Sequence, residues 1–240
     1  MIRQIVAGFL HGHHPILAER WYNRYHCKEV VRAFGPWLRR YETYKTLPLP
    51  VPSSAEPFGV RSGYLTELWY ASIEDYIEAE PYDRKWTPMS PLPAGTAEPE
   101  PCHILVPARP TEDFLGTEPA PEKRTVMRWI CVFRYPEGVS LDEGERWYLD
   151  THSREVKEQP GLLKYVSYRA LENPKFAGVW HRMSELWYED TDAWRRAVVD
   201  SPPRYSPPPW GGEYPFVHPV SVFVREKPDV DFLKDDPIIP

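Results

Sequence analysis

The chain has 240 residues and a formal net charge of −6, and 14% of its residues are aromatic. This aromatic share excludes general disorder, because disordered chains are poor in aromatic side chains. The sequence has no basic stripe and no apolar run of 18 residues, so we expect neither nucleic acid nor a membrane as a partner. The three cysteines, Cys27, Cys102 and Cys131, form no CxxC pair, which predicts a reduced, cytoplasmic protein.

The pattern of apolar and turn-forming residues predicts strand, helix, strand, strand, helix, strand twice in succession. In the first half, the strands are residues 2–10, 38–47, 61–70 and 102–107, and the helices are residues 16–33 and 72–79. In the second half, the strands are residues 128–135, 162–171, 180–188 and 216–225, and the helices are residues 140–159 and 191–199. The second-half helices are predicted to begin at a capping box, Ser140 with Glu143, and at Asp190 or Thr191.

Four blocks of sequence recur in the same order in the two halves. They are ERWYNRYHCKEV (19–30) with ERWYLDTHSREV (145–156), RRYETYKTL (39–47) with LKYVSYRAL (163–171), TELWYASIEDYIEA (66–79) with SELWYEDTDAWRRA (184–197), and EPCHILV (100–106) with PFVHPVS (215–221). Four collinear matches indicate a duplication. The sequence therefore predicts an α+β chain with two ferredoxin-like repeats, residues 1–106 and 125–228, a Pro-rich linker at 107–124 and a C-terminal tail at 229–240.

Each predicted sheet has helices on one face only, so its other apolar face has to be covered. We expect the two antiparallel sheets of the chain to pack on each other and close a barrel. Proline makes up 29 residues and is concentrated in the connections between these elements.

Three short motifs stand in the second half: Trp147-Tyr-Leu-Asp-Thr-His152, Pro160-Gly161-Leu162 and Tyr165-Val166. Together they resemble the signature of the EthD-like family, which belongs to the dimeric α+β barrel superfamily. The usual proline after the histidine is missing, and Phe34-Gly35-Pro36 stands in place of Pro-Gly-Leu in the first half. The resemblance implies that one chain supplies both halves of the barrel. It also implies a superfamily of cofactor-free monooxygenases, polyketide cyclases and dehydratases, muconolactone-type isomerases and haem enzymes.

The two repeated helices carry a tyrosine, a histidine and a valine four residues apart. These are Tyr22, His26 and Val30 in the first half, and Tyr148, His152 and Val156 in the second. Each set shares one helix face, and the valines indicate that this face points at the sheet. A half-buried histidine beside a phenol can act as general acid or base. We therefore predict His152, Tyr148, His26 and Tyr22 as catalytic residues. The alternative is a structural histidine that hydrogen-bonds a strand carbonyl or Glu185.

Six further residues are predicted to bind the substrate: His103, His218, Glu185, Trp187, Trp86 and Trp210. The two histidines occupy corresponding places in the last strands, and the pattern leaves open which sheet face they take. Glu185 could instead pair with a helix arginine, Arg146. The loop residues Trp86 and Trp210 are candidate lids or docking side chains. The cluster His11-Gly-His13-His14 has no matching acid or cysteine, so we expect no metal site.

These residues predict an enzyme, a cofactor-independent lyase or isomerase acting on a small apolar, aromatic or polyketide-like molecule. His152 would be the acid or base, and Tyr148 would donate a hydrogen bond to the developing oxyanion. The second half is favoured because it keeps Pro-Gly-Leu. Two alternatives stay open: a haem-binding enzyme or carrier, and a non-catalytic binding or assembly protein. The superfamily resemblance also implies a capacity for self-association into a homo-oligomer.

Overall fold

A computed structural model of the chain describes residues 1–8, 11–12, 15–48, 56–79, 90–94, 96–97, 102–116, 126–172 and 179–234. The chain divides into two compact units. The first unit consists of residues 1–45, 62–108 and 227–240, and the second consists of residues 46–61 and 109–226. No helix among the described residues is long and apolar enough to span a bilayer.

The strands are, in chain order, β1 (Ile2–Gly8), β2 (His11–Gly12), β3 (Leu38–Lys45), β4 (Tyr64–Tyr70), β5 (Thr96–Ala97), β6 (Cys102–Pro107), β7 (Glu112–Asp113), β8 (Met127–Arg134), β9 (Lys164–Arg169), β10 (Arg182–Tyr188), β11 (His218–Arg225) and β12 (Val230–Asp231). The helices are α1 (15–34), α2 (Ile73–Ala79), α3 (141–156) and α4 (191–200), with a 3₁₀ turn at Glu56–Phe58. Every long element therefore falls close to a predicted range.

The first unit contains a sheet in the order β12–β3–β4–β1–β6, and all neighbouring strands are antiparallel. The second unit contains a sheet in the order β11–β8–β10–β9–β7, also antiparallel throughout. In each sheet, four strands follow the ferredoxin-like β-α-β-β-α-β order. The α+β class and the two ferredoxin-like repeats are thus confirmed.

The predicted helix starts of the second repeat rest on side-chain caps. Ser140 Oγ accepts the backbone N–H of Glu143 at 3.2 Å, and Asp190 Oδ1 accepts the backbone N–H of Ala193 at 2.7 Å. These bonds satisfy N–H groups that have no partner within the first helical turn. The Ser140 cap fixes the start of α3, the helix that carries Tyr148, and the Asp190 cap fixes the start of α4.

The unit boundaries differ from the predicted repeats because short segments join distant strands. Residues 46–61 belong to the second unit, where the backbone N–H of Leu47 donates to the carbonyl of Phe223 at 2.8 Å. Gly59 has φ +59°, and a Cβ there would lie 2.1 Å from the carbonyl oxygen of Pro219, so only glycine allows this approach. The predicted linker contains β7 and the predicted tail contains β12. Each therefore adds a fifth strand to a sheet.

The strand register corrects one match between the repeats. In the first unit, Val6 lies opposite Thr66 on one neighbouring strand and opposite His103 on the other. In the second unit, Cys131 lies opposite Ser184 and Ser221 in the same way. His103 therefore corresponds to Ser221 and not to His218. The predicted pairing of the two histidines was wrong by three positions, because both strands have irregular, proline-rich flanks.

Candidate functional site

A π-helical turn spans the tyrosine–histidine pair in each long helix. The turns are Tyr22–His26 in α1 and Tyr148–His152 in α3. In α3, the backbone N–H of Ser153 donates to the carbonyl of Tyr148, five residues earlier. Such one-turn insertions occur frequently at functional sites. The ring centroids are 5.5 Å apart in the first pair and 6.0 Å apart in the second, so phenol and imidazole stay on one side of the helix.

The Tyr148 hydroxyl is at the centre of a buried cluster of hydroxyl groups. It lies 2.8 Å from the Tyr165 hydroxyl and 2.8 Å from Ser184 Oγ, and either atom of each pair can donate. Burial raises the pKa of Tyr148 above its usual value. The phenol is therefore protonated at neutral pH and keeps a proton that it can donate.

The His152 imidazole stacks on the indole of Trp147, with centroids 4.7 Å apart and an interplanar angle of 21°. Its Nδ1 is buried and has no hydrogen-bond partner among the described residues. The structural hydrogen bond that was the alternative for this residue is therefore not made by Nδ1. Burial lowers the pKa of His152 to about 3, so the imidazole is neutral at physiological pH.

A cavity of about 50 Å³ opens beside this histidine in the second unit. Its walls are mostly apolar and aromatic, and the lining includes residues with polar side chains: Tyr148, His152, Gln159, Tyr165 and Ser184. Cys131 also lines the cavity, but burial raises the pKa of its thiol to about 12. A thiol of this kind is not an activated nucleophile. The cavity therefore combines an apolar interior with a few convergent hydrogen-bonding groups, as ligand sites generally do.

Glu185 and Trp187 do not reach the cavity. Ser184 and Leu186 line it, and side chains alternate along a strand, so Glu185 and Trp187 lie on the other sheet face. Glu185 Oε1 accepts Nε of Arg128 at 3.0 Å and Nε1 of Trp187 at 2.7 Å. The ion pair is present, but its arginine comes from strand β8 and not from the helix, where Arg146 is exposed. Arg3 and Glu67 form the equivalent pair in the first unit, at 3.2 Å.

His218 is exposed, and its neighbours Val217 and Pro219 line the cavity instead. Trp210 also stays outside the cavity wall. Its Nε1 donates to the carbonyl of Phe216 at 3.2 Å, and its ring packs edge-on against Trp147 at 5.0 Å. Both residues were predicted to bind substrate, and the strand alternation and the fold of the loop place them elsewhere.

Two other side chains of the same loop lie over His152. The Tyr205 and Tyr214 rings are stacked 4.3 Å apart at an angle of 3°, and their centroids are 5.6 Å and 6.3 Å from the imidazole. Aromatic side chains of this loop therefore lie near His152, but they are not the predicted Trp210. Trp86, the other predicted lid residue, lies outside the described residues.

The first unit repeats the pair but not its surroundings. The Tyr22 hydroxyl bonds Thr66 Oγ1, and His26 stacks on Trp21 with centroids 5.1 Å apart. Burial lowers the pKa of His26 to about 4, and its Nδ1 also has no partner among the described residues. His103 lies in the same row as Thr66, and burial lowers its pKa to about 4.

Tyr165, Ser184 and Arg182, which surround Tyr148, were not predicted from the sequence. Gln159, Tyr205 and Tyr214 were not predicted either. A usable signal was present for Tyr165 and Ser184, because Tyr41 and Tyr165, and Thr66 and Ser184, stand at matching places in the repeated blocks. A hydroxyl side chain that stands at the same position of a mostly buried strand in both repeats is expected to have a hydrogen-bond partner inside the fold. Arg182 has no counterpart among the arginines of the first repeat, so the duplication gave no hint of it.

Within the described ranges, no three His, Cys, Asp or Glu side chains are grouped as metal ligands would be. His13 and His14 lie outside those ranges. His152 is the one histidine among the residues that line the cavity.

Comparisons with known proteins concern the fold. A family model for the chalcone isomerase N-terminal domain matches residues 5–87, which lie in the first repeat. No curated protein matches the chain. An anthrone oxidase-like protein aligns over 93% of this chain and 90% of its own, with 13% identity and a TM-score of 0.53.

Two further solved structures align with lower scores. Chlorite dismutase from Candidatus Nitrospira defluvii, in complex with imidazole, covers 93% of this chain and 90% of its own, with 10% identity and a TM-score of 0.46. An ethyl tert-butyl ether D (EthD) family protein from Bacillus halodurans C-125 covers 31% of this chain and 72% of its own, with 22% identity and a TM-score of 0.28. The alignment with the anthrone oxidase-like structure agrees with the α+β fold of two ferredoxin-like repeats described above.

Proposed function

We propose that the second repeat is a cofactor-independent lyase or isomerase that performs acid–base chemistry on a small apolar carbonyl compound. One observation carries the proposal: a protonated, buried Tyr148 hydroxyl and a neutral His152 imidazole border the same apolar cavity. Dehydration, cyclisation and isomerisation next to a carbonyl can use one group that moves a proton and one that donates a hydrogen bond to the carbonyl oxygen. The chalcone isomerase match supports an isomerase, although it lies in the first repeat.

The two groups have complementary roles. Tyr148 donates its proton in a hydrogen bond to the carbonyl oxygen, whose negative charge grows as the adjacent C–H bond breaks. His152 accepts the proton released from that C–H bond, and the bonding electron pair moves to the carbonyl oxygen. A pKa of about 3 makes the free imidazole a weak base, but a developing oxyanion nearby favours the imidazolium and raises its pKa. Proton transfer and oxyanion formation therefore assist each other.

The cavity has to enlarge before it can take an aromatic molecule. A cavity of roughly 150 Å³ is needed to hold benzene, and this one measures about 50 Å³. Tyr214 lines the cavity, and its ring stacks on that of Tyr205. Gln159 Nε2 donates to the Tyr205 hydroxyl at 2.7 Å. Substrate entry on this proposal displaces these two rings and breaks that hydrogen bond.

Hydrogen–deuterium exchange tests the chemistry without a known substrate. Acetophenone and related aryl methyl ketones are incubated with the full chain in D₂O, and loss of the methyl proton signal is followed by NMR. We expect exchange above the buffer rate with the wild type and loss of that excess with His152→Ala and with Tyr148→Phe.

Exchange that persists in both variants would overturn the roles of Tyr148 and His152. Absence of exchange with every ketone, together with saturable binding of the same ketones, would favour a non-catalytic binding protein. A haem titration followed by absorbance tests the remaining alternative, and a Soret band that is lost in His152→Ala would favour it.

A further inference from the structure

Arg182 is a fully buried cation next to the proposed site. It is 1% exposed and stands at the start of strand β10. Its Nε and Nη2 donate to the Glu145 carboxylate at 2.7 and 2.9 Å, and its Nη1 and Nη2 donate to the Glu112 carboxylate at 2.6 and 3.0 Å. Nη1 also donates to Ser167 Oγ at 2.7 Å. The hydrogen-bonding edge of the guanidinium is therefore occupied.

The flat face of the same guanidinium lies over the Tyr148 ring. Its Cζ is 4.9 Å from the ring centroid, which is the geometry of a cation–π contact. An isolated buried cation is costly, and here two carboxylates balance it while leaving the face free for the aromatic ring. The charge is thus held in place against the one phenol that the proposed chemistry uses.

The first repeat lacks this cation. The strand register places Tyr64 opposite Gly8 and Arg182 opposite Phe133, so Tyr64 occupies the position of Arg182. The Tyr64 ring stacks on Tyr22 with centroids 4.3 Å apart, so a neutral ring covers the equivalent phenol. The two tyrosines therefore share a backbone setting and differ in the charge above the ring.

We propose that Arg182 is a positioning residue: its charge, held over the Tyr148 ring, strengthens the Tyr148 hydroxyl as a hydrogen-bond donor and confines the acid–base chemistry to the second repeat. This inference rests on the proposed function of the cavity and adds a residue that does not touch the substrate. A nearby cation stabilises negative charge on the phenol oxygen, so it favours donation to an oxyanion.

Other groups also bear on the phenol and have to be kept constant. Burial raises the pKa of Tyr148, whereas Arg182 and the hydroxyls of Ser184 and Tyr165 oppose that rise. The remaining titratable groups around it are His152 on its own helix, Tyr135, and the two carboxylates that bind Arg182.

The test measures ionisation of the phenol directly. Trifluorotyrosine, whose hydroxyl ionises near neutral pH, replaces Tyr148 alone in the full chain, and its phenolate absorbance is followed against pH. We expect the pKa at this position to rise by about 1 unit in Arg182→Met, and to fall in Glu112→Gln, which removes one balancing negative charge. The same label in place of Tyr22 is the matched control and is expected to stay unchanged in both variants.

Two variants with opposite expected shifts keep the test decisive. Glu112 is 25% exposed at its side chain, so Glu112→Gln folds even where Arg182→Met does not. A pKa at position 148 that does not fall in Glu112→Gln, or that moves together with the control at position 22, overturns the role of Arg182. The measurement needs no turnover. Shifts without ketone exchange would therefore refute the proposed function alone, and exchange without shifts would refute Arg182 alone.

Discussion

The two repeats show which parts of a duplicated site were kept and which diverged. Both retain the π-helical turn, with the histidine stacked on the preceding tryptophan. Above the tyrosine ring they differ, because Tyr22 lies under the neutral ring of Tyr64 and Tyr148 lies under Arg182. The backbone that holds a phenol beside an imidazole is therefore common to both repeats, and the electrostatics of the phenol belongs to one of them.

Loss of the buried cation gives the largest expected effect on stability. Arg182→Met leaves the Glu145 carboxylate buried without its partner, and breaking such a pair costs about 3–5 kcal/mol. Tyr64→Phe, at the equivalent place in the first repeat, removes only a hydroxyl and is expected to cost about 1 kcal/mol. Urea unfolding of both variants measures the difference. Equal losses would show that Arg182 is not a centre of buried charge.

Ketone exchange rates of two tyrosine variants show whether one repeat or both are active. Tyr148→Phe is expected to lower the ketone exchange rate by about 10²-fold, because one donor to the developing oxyanion is lost. Tyr22→Phe is expected to keep most of the rate, since the neutral ring of Tyr64 covers that phenol where Arg182 covers Tyr148. The rates come from NMR in D₂O at equal protein concentration. A comparable drop in both variants would show that the difference at Tyr64 and Arg182 has no bearing on activity.

The sequence predicted the long strands and helices of the fold but not its shortest strands. Periodic runs of six residues or more, with caps at Ser140 and Asp190, predicted every long strand and helix within a few residues. Strands β7 and β12 have two residues each, too few to show alternation, and both join sheets far from them in sequence. Segment 46–61 joins the second unit through the close approach of Gly59 to Pro219. No pattern in the sequence around Gly59 predicts this approach.

The site was predictable where one helix contains both groups. The four-residue spacing of Tyr148 and His152 is visible along the chain, and the structure places both residues at one cavity. Arg182 could not be found in this way, because its carboxylate partners stand 37 and 70 residues away. From the sequence alone, an arginine at the start of a strand is predicted to be exposed. Burial of its charge depends on partners that only the tertiary fold brings close.

Acid titration tests what the two repeats have in common. Burial lowers the pKa of His26 to about 4 and that of His152 to about 3, below the value of about 6.5 in an unfolded chain. The unfolded state therefore binds more protons between these values, and the free energy of unfolding falls as the pH drops below 6.5. Each histidine is expected to contribute about 1 kcal/mol per pH unit in this window.

Urea unfolding at pH 7, 6 and 5 measures that slope. His26→Phe and His152→Phe are each expected to flatten it, and His103 maintains part of it in both variants because burial lowers its pKa to about 4. A slope that stays unchanged in His152→Phe would contradict the burial of a neutral imidazole in the second repeat.

The smallest expected difference concerns the proline-rich segments that follow the second helix of each repeat. Ser-Pro-Leu-Pro (90–93) and Ser-Pro-Pro-Pro (206–209) both dock on a helix glutamate. Glu29 accepts the backbone N–H and the hydroxyl of Ser90, at 3.0 and 2.6 Å, whereas Glu155 accepts only the backbone N–H of Ser206, at 2.9 Å. The first segment is therefore held by more hydrogen bonds.

The tryptophans of the two helices extend this difference. Trp21 Nε1 donates to the carbonyl of Ser90 at 2.9 Å, whereas Trp147 Nε1 is buried without a partner among the described residues. Glu29→Ala is expected to cost about 1–2 kcal/mol and Glu155→Ala about 0.5–1 kcal/mol, measured by urea unfolding. The weaker attachment belongs to the segment between Tyr205 and Tyr214, whose rings move on substrate entry in the proposed function. Equal losses of unfolding free energy in the two variants would show that both segments are held equally firmly. The Gln159–Tyr205 hydrogen bond would then be the one restraint of this comparison that is specific to the second repeat.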